Sequence, residues 1–283
     1  MQRRRTVTAP ASSANLGPGY DCLALALAPR LTLEVVETGQ FAVETELDVA
    51  RGRDNLVVRA FETLHPADGF SCRISSQIPL SGGLGSSAAA IVAGLAAADS
   101  IFELDADLLA AGTALDGHAD NVAAALHGGL VACSEGRAQR LPLGLELEAL
   151  LVVPDRPVTT SEARAALPAT VPIGDAVFNI ACGAQLAAGL AAGDLELIAA
   201  GLHDRLHQPA RAHLYPRSSE LLGRARELGA LGATISGAGP TVMVWCTPDQ
   251  SGAVAAALWP EIDGWARLVR APVTTAGVDI VAL

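Results

Sequence analysis

The residues from Ile78 to Ala90 read IPLSGGLGSSAAA: an apolar lead-in, a glycine-rich turn, two serines and an alanine-rich run. Gly82, Gly83 and Gly85 lack a Cβ, so they can take positive φ and bring main-chain N–H groups close to a ligand. A helix opening directly behind them carries unsatisfied N–H groups and a partial positive charge at its start. Such a turn cradles phosphate. The 19 basic residues are all arginine, and lysine is absent. That excludes the ordinary P-loop, which needs a lysine after its last glycine. It equally excludes a lysine acting as Schiff base or activated base.

The elements that must position this turn can be read from periodicity. Short strands are expected at Thr6–Ala9, Leu31–Val36, Phe41–Leu47 and Phe70–Ile78, the middle two from their alternation. Residues 10–21, PASSANLGPGYD, read as a loop. Helices are expected at Asn55–Leu64, behind the glycine turn, at Leu104–Leu115 and at Asn121–Leu126. The second half opens with a buried strand at Leu147–Val153. Helices follow at Thr160–Leu167, 175–190, 194–206 and Ser219–Leu228. Two strands flank a second glycine turn at Ser236–Pro240, and a helix and a last strand close the chain. The boundary between the halves falls near 150, giving domains at 1–150 and 151–283.

Composition narrows the class. Of 283 residues, 51% are hydrophobic and only 4% aromatic, so the core must be built mainly from Ala, Leu and Val. A net charge of −11 argues against a nucleic-acid surface, which needs a basic stripe, but leaves room for a few arginines around an anionic small molecule. Five scattered cysteines without a CxxC favour a reduced, cytoplasmic protein. MQRRR is followed by no adequate apolar segment for secretion, and the apolar run behind the glycine turn is far short of the about 20 residues of a membrane span. A soluble protein without membrane contact is therefore expected. A homodimer is compatible with this composition, though no residue pattern specifies one.

Three segments stand in order: PASSANLGPGYD at 10–21, PLSGGLGSSAA at 79–89 and SGAGPT at 236–241. Their sequence and spacing resemble the GHMP kinase superfamily. Within it the first segment is similar to the homoserine kinase form. GHADNV at 117–122, DNLV at 54–57, TTSEARAALP at 159–168 and LHQPAR at 206–211 add to that similarity, which spans about 6–244. The resemblance implies an α+β fold: an N-terminal α/β domain of the ribosomal protein S5 domain 2-like type and a C-terminal ferredoxin-like domain. It implies ATP and Mg²⁺ as cofactors, with L-homoserine accepting the γ-phosphate on its side-chain hydroxyl in threonine biosynthesis.

Carried over residue by residue, the second segment would wrap the ATP phosphates: Pro79, Leu80, Ser81, Gly82, Gly83, Leu84, Gly85, Ser86, Ser87, Ala88 and Ala89. With lysine absent, the triphosphate would be neutralised by backbone dipoles, Mg²⁺ and arginine. Ser86 and Ser87 either cap the helix or offer a hydroxyl to Mg²⁺. The family's metal-binding Glu corresponds here to Asp116, one methylene shorter, which could reach the metal through water. Asn15, Asp21 and Asn121 would form the acceptor pocket, with Asp21 on the substrate ammonium and Asn121 on the attacking hydroxyl. An amide cannot act as general base, so the pocket resembles a base-free variant; His118 is either a rival base or a structural hydrogen-bonder. Arg164 and Arg211, with Thr160 nearby, would clamp the substrate carboxylate. Gly237 and Gly239 would let the third loop approach the substrate, and Asn55 would lie near the nucleotide base. Three other readings stay open: another small-molecule kinase of mevalonate type, a nucleotide-binding regulator that has lost catalysis, and a structural α/β protein whose glycines only make turns.

Overall fold

The computed structural model describes residues 3–80 and 82–282. Two strands dominate the first half, β1 (Arg4–Asn15) and β2 (Gly19–Glu37), paired antiparallel along almost their whole length. The segment read as a loop at 10–21 is thus mostly strand, with a tight turn at Leu16–Pro18 only. The reason is packing. From Ala9 to Asn15 every residue is buried, and the small Ala and Ser side chains are covered on both faces, so no alternation marks the strand. A register shift between Pro10 and Ala11 bends the pair. Beyond the bend, β2 pairs with β4 (Phe70–Ser76); before it, β2 pairs with β5 (Leu130–Ser134).

β3 (Ala42–Thr45) runs parallel to β4, and β6 (Arg137–Leu141), which periodicity does not reveal, completes a hairpin with β5. The seventh strand of this sheet comes from the other end of the chain. β11 (Asp279–Ala282) pairs antiparallel with the start of β1, so the last strand of the 151–283 stretch lies in the sheet of the 1–150 stretch.

The helix behind the glycine turn, α2 (Ser86–Phe102), packs on β1 and β2. Its other sides are covered by α1 (Leu56–Leu64), α3 (Leu108–Asp116) and α4 (Ala119–His127). Being covered all round, it is apolar all round. Ala88, Ala89, Val92, Ala93, Ala96 and Ala97 are fully buried.

The second sheet is a four-stranded antiparallel layer in the spatial order β10-β7-β9-β8, from β7 (Glu148–Pro154), β8 (Gly232–Ile235), β9 (Val242–Cys246) and β10 (Ala266–Pro272). Numbered within the layer this is 4-1-3-2, the ferredoxin-like order. The crossover from β9 to β10 is α10 (Ser251–Ile262). The longer crossover from β7 to β8 holds α5 (Thr160–Ala165), α6 (Ile173–Ala192), α7 (Leu195–Gly201), α8 (Gln208–Arg211) and α9 (Pro216–Arg224). α6 is long and apolar enough to cross a membrane by length and composition, a property its internal Asp175, Asn179 and Gln185 mask in a scan for unbroken runs. All five cysteines are free thiols.

Candidate active site

The glycine turn sits where β1, the SGAGP turn and the start of α2 converge. Gly83 and Gly85 have φ of +75° and +66°. The left-handed geometry expected of the glycine turn is present at these two positions. A Cβ on Gly85 would collide with the Ser12 hydroxyl, and one on Gly83 with the Ser236 carbonyl. Ser236 Oγ donates to the Gly83 carbonyl at 2.7 Å, and the Ser12 N–H to the Leu84 carbonyl at 3.1 Å. The turn is therefore braced from both sheets.

α2 begins at Ser86 with Gly85 as N-cap and no side-chain cap bond. Ser86 is thus not the cap, and the first N–H groups of the helix are left for a ligand. They open onto a cleft of about 500 Å³ between the two sheets, lined in part by Gly83, Leu84, Gly85, Ser86 and Ser87. Pro79, Leu80, Gly82, Ala88 and Ala89 do not line it; the two alanines are in the core and Leu80 is exposed. Ser81 lies outside the described residues. Asn55 also lies off the cleft. Its Oδ1 accepts from the Val57 N–H at 3.0 Å as the N-cap of α1, and its Nδ2 donates to the Ala50 carbonyl at 2.7 Å.

On the wall beside α2, Ser87 Oγ donates to Asp116 Oδ1 at 2.9 Å. Burial pushes the Asp116 carboxyl above its ordinary range, against the downward pull of the Ser87 bond and of His118. Two hard oxygen donors, one of them anionic, thus stand together at the helix terminus. Among the described residues no group of three or more His, Cys, Asp or Glu could hold a metal, so a cation here must complete its shell from a ligand or water. His118 lines the cleft and makes no hydrogen bond among the described residues, so the structural bond expected as one of its two readings is not there.

Asn121 faces the phosphate turn from α4. Its Oδ1 accepts from Ser12 Oγ at 2.8 Å. Behind it stands Asp120, which sequence reasoning passed over. Asp120 is 2% exposed, accepts from the Asn121 N–H at 2.6 Å, and has no ion-pair partner among the described residues. Burial, abetted by Asp21 and Asp116, raises its pKa to about 6, against the Asn121 bond and His118. A buried, unpaired carboxyl with a displaced pKa in a cleft is a candidate functional residue. Only the fold reveals it, because its surroundings come from separate segments.

The third wall carries opposite charges. Asp21 has φ of +55° and its N–H is held by Asn15 Oδ1 at 2.9 Å; Asn15 Nδ2 donates to the Gly237 carbonyl at 2.8 Å. Asn15 therefore ties Asp21 to the SGAGP turn. Arg164, on α5, bridges both oxygens of Asp21 through Nη2 at 2.9 and 3.0 Å, leaving its buried Nε without a partner. The short α5 is fixed by a capping box in which Thr159 and Glu162 exchange bonds. That places Thr160 on the cleft as well.

Arg211 is 1% exposed. Its Nε donates to the Ala163 carbonyl at 2.8 Å and its Nη1 meets His207 Nδ1 at 3.2 Å. Arginine can only donate, so His207 Nδ1 accepts and Nε2–H donates to the Gly17 carbonyl at 2.7 Å. Burial holds His207 below its ordinary pKa, which keeps it in this neutral form. The Tyr20 ring lies beneath both guanidinium groups, 5.3 Å from Arg211 and 5.8 Å from Arg164. Tyr20 and His207 are further residues that sequence spacing did not single out.

Comparison with known proteins agrees with this geometry. The GHMP kinases N terminal domain matches residues 55–129, and the GHMP kinases C terminal family matches residues 186–261. The chain is 39% identical to the homoserine kinase of Moorella thermoacetica over 256 residues, covering 85% of this chain and 86% of that one. It is 42% identical to the homoserine kinase of Deinococcus radiodurans over 269 residues, covering 88% and 86%. The crystal structure of homoserine kinase from Cytophaga hutchinsonii superposes with a TM-score of 0.85 at 28% identity, covering 98% of this chain and 97% of that one.

Proposed function

We propose that this chain, which belongs to the homoserine kinases of the GHMP kinase family, transfers the γ-phosphate of ATP to the side-chain hydroxyl of L-homoserine, as a step of threonine biosynthesis in the cytoplasm. The observation that carries the reading is one cleft in which an uncapped helix terminus faces a carboxylate and two arginines. The first suits a polyphosphate; the second set suits a zwitterion.

The N–H groups of the glycine turn and of α2 bind and orient the phosphates. Ser87 and Asp116 would hold Mg²⁺, whose preference for oxygen ligands they match. That ion, when bound, neutralises charge developing on the transferred group. With lysine absent, the chain's other positive groups here are Arg164 and Arg211.

At the acceptor end the Asp21–Arg164 pair exchanges partners. The substrate ammonium replaces Arg164 on Asp21, and the substrate carboxylate takes the guanidinium so released together with Arg211. Each group of the pair has an opposite charge in either state, so neither is left unpaired. Arg211 keeps its orientation through His207 and the Ala163 carbonyl.

Asn121 hydrogen-bonds the attacking hydroxyl. Asp120 aims Asn121 and maintains a negative field beside the hydroxyl, whose proton is lost late to an oxygen of the transferred phosphate. A loose phosphoryl-transfer transition state asks little more of a base. A mevalonate-type acid has no ammonium to offer Asp21, which weighs against that alternative. Nucleic acid and membrane have no part in this reading. The product tests it directly: with Mg-ATP and L-homoserine, ³¹P NMR should show a phosphomonoester on the side-chain oxygen. ATP hydrolysis to free phosphate without that product would refute it.

A further inference from the structure

The chain turns sharply where it enters the cleft. Leu16–Pro18 make the turn that precedes β2, and Asp21, near the start of that strand, has φ of +55°. Neighbouring residues of a regular strand point to opposite faces. The left-handed backbone at Asp21 breaks that alternation, and Tyr20 and Asp21 both line the cleft. The Tyr20 ring is held from several sides. The His207 ring lies 5.2 Å away, centroid to centroid, and the Arg211 and Arg164 guanidinium groups sit over it. Tyr20 is therefore a fixed floor beneath the acceptor end.

Its hydroxyl is not accounted for by the fold. Oη is buried and has no hydrogen-bond partner among the described residues. Burial and the Asp21 charge raise its pKa while Arg164 and Arg211 pull it down, so the phenol stays protonated amid all three charges. A hydroxyl buried without a partner is costlier than the hydrogen of a phenylalanine in the same place. A second orphan stands close by. Arg164 holds both Asp21 oxygens through Nη2 alone, and its buried Nε is unpartnered. An arginine in its strongest arrangement offers two parallel N–H groups to a carboxylate. Two polar groups at the acceptor end thus have no partner from the protein itself.

Both find partners in the exchange at Asp21 proposed above, on which this inference rests. The substrate carboxylate draws Arg164 from Asp21 and accepts from its Nε as well. An ammonium brings three N–H groups, and the two oxygens of Asp21 accept two of them. We propose that Tyr20 is a specificity-determining residue for the amine: its hydroxyl oxygen accepts the third N–H of the substrate ammonium, and its O–H turns to Asp21. A phenol suits this double role, since it donates and accepts through one atom. No proton is transferred; the phenol stays neutral and the ammonium stays charged. The substrate carboxylate is the less suitable partner for the hydroxyl, because Arg164 and Arg211 already offer it charged donors.

Tyr20→Phe keeps the ring and removes the hydroxyl. With Mg-ATP, the KM of this variant for L-homoserine should rise about tenfold, the scale of one hydrogen bond to a charged group, with the KM for ATP unchanged. 4-Hydroxybutyrate has the carboxylate and the hydroxyl but no amine. Its kcat/KM should match that of wild type, so the preference for the amino acid narrows by about tenfold. Calorimetry should show the same weakening of homoserine binding, and the melting temperature should not fall. A KM for homoserine equal to that of wild type overturns the inference. So does an equal loss on both substrates, which would set the hydroxyl against the carboxylate. A lower melting temperature overturns it too, by showing that the protein itself partners the hydroxyl. Failure of the underlying reading looks different: the wild type itself would then form no phosphate ester of homoserine, and the inference would fall with it.

Discussion

Replacing Asp120 with asparagine keeps the shape of the side chain and removes its charge. The buried carboxyl titrates at about 6 in the folded protein, raised from 3.8 by burial and by Asp21 and Asp116. In the unfolded chain it returns to the ordinary range. As pH climbs, the unfolded state ionises first, so between the two values the folded state binds more protons and stability falls. A shift of about two units corresponds to about 3 kcal/mol, an upper bound on what the charged form costs. The stability is fully present below about pH 4 and is lost as pH rises through about 6.

The amide oxygen of the Asp120→Asn variant could still accept the bond from the Asn121 N–H, so the isostere sheds the penalty without orphaning a partner. Asp120→Asn should therefore be more stable than wild type at neutral pH, by up to about 3 kcal/mol, and equal to it near pH 4. Urea midpoints by circular dichroism across that range would measure the difference. A variant destabilised equally at every pH, or one indistinguishable from wild type at neutral pH, would refute the reasoning. Turnover should fall at the same time, as expected where a site maintains a costly charge for its chemistry.

Arg211→Met should raise the KM for homoserine by about a hundredfold, the 2–3 kcal/mol of a charge-assisted bond pair, with the KM for ATP nearly unchanged; an equal rise in both would remove Arg211 from the acceptor end. His207→Ala should give a weaker version of the same split, with His207→Asn recovering part of it. Asp116→Asn should raise the Mg²⁺ concentration needed for half-maximal turnover, and an unchanged Mg²⁺ titration would place the metal elsewhere. Gly83→Ala forces a Cβ against the Ser236 carbonyl at φ of +75°, so it should lower the melting temperature and weaken ATP binding measured by calorimetry.

The glycine turn was legible because its chemistry is local: glycines, then a helix start, within ten residues. So were β7, β8 and β9 of the second sheet, whose apolar runs are bounded by turns; the single closing strand expected is in fact two, β10 in this sheet and β11 in the first. The outer ends of β1 and β2 were legible too, but the stretch around their turn was not, because in β1 Ala and Ser buried on both faces leave no period of two. The return of β11 to β1 was hidden because pairing between the two ends of a chain leaves no mark in either segment. Asn15, Asp21, Asn121, Thr160, Arg164, Arg211 and Gly237 stand in recognisable motifs, and the fold gathers them around one cleft. Asp120 has no such mark. Its importance comes from burial and from carboxylates contributed by β2 and α3, which spacing along α4 cannot report. Asn55 shows the converse: a motif residue whose side chain is spent capping a helix.

In this mechanism one cleft reads both charges of an amino acid and phosphorylates its hydroxyl. Coupled ADP release with Mg-ATP should be measured for L-homoserine, for 4-hydroxybutyrate, which lacks only the amine, and for mevalonate. Turnover above background with homoserine, and a kcat/KM at least about a hundredfold lower for the other two, is the expected outcome, as follows from losing a charge-assisted bond pair. Equal turnover of 4-hydroxybutyrate or mevalonate, or no ADP from homoserine, would overturn the mechanism.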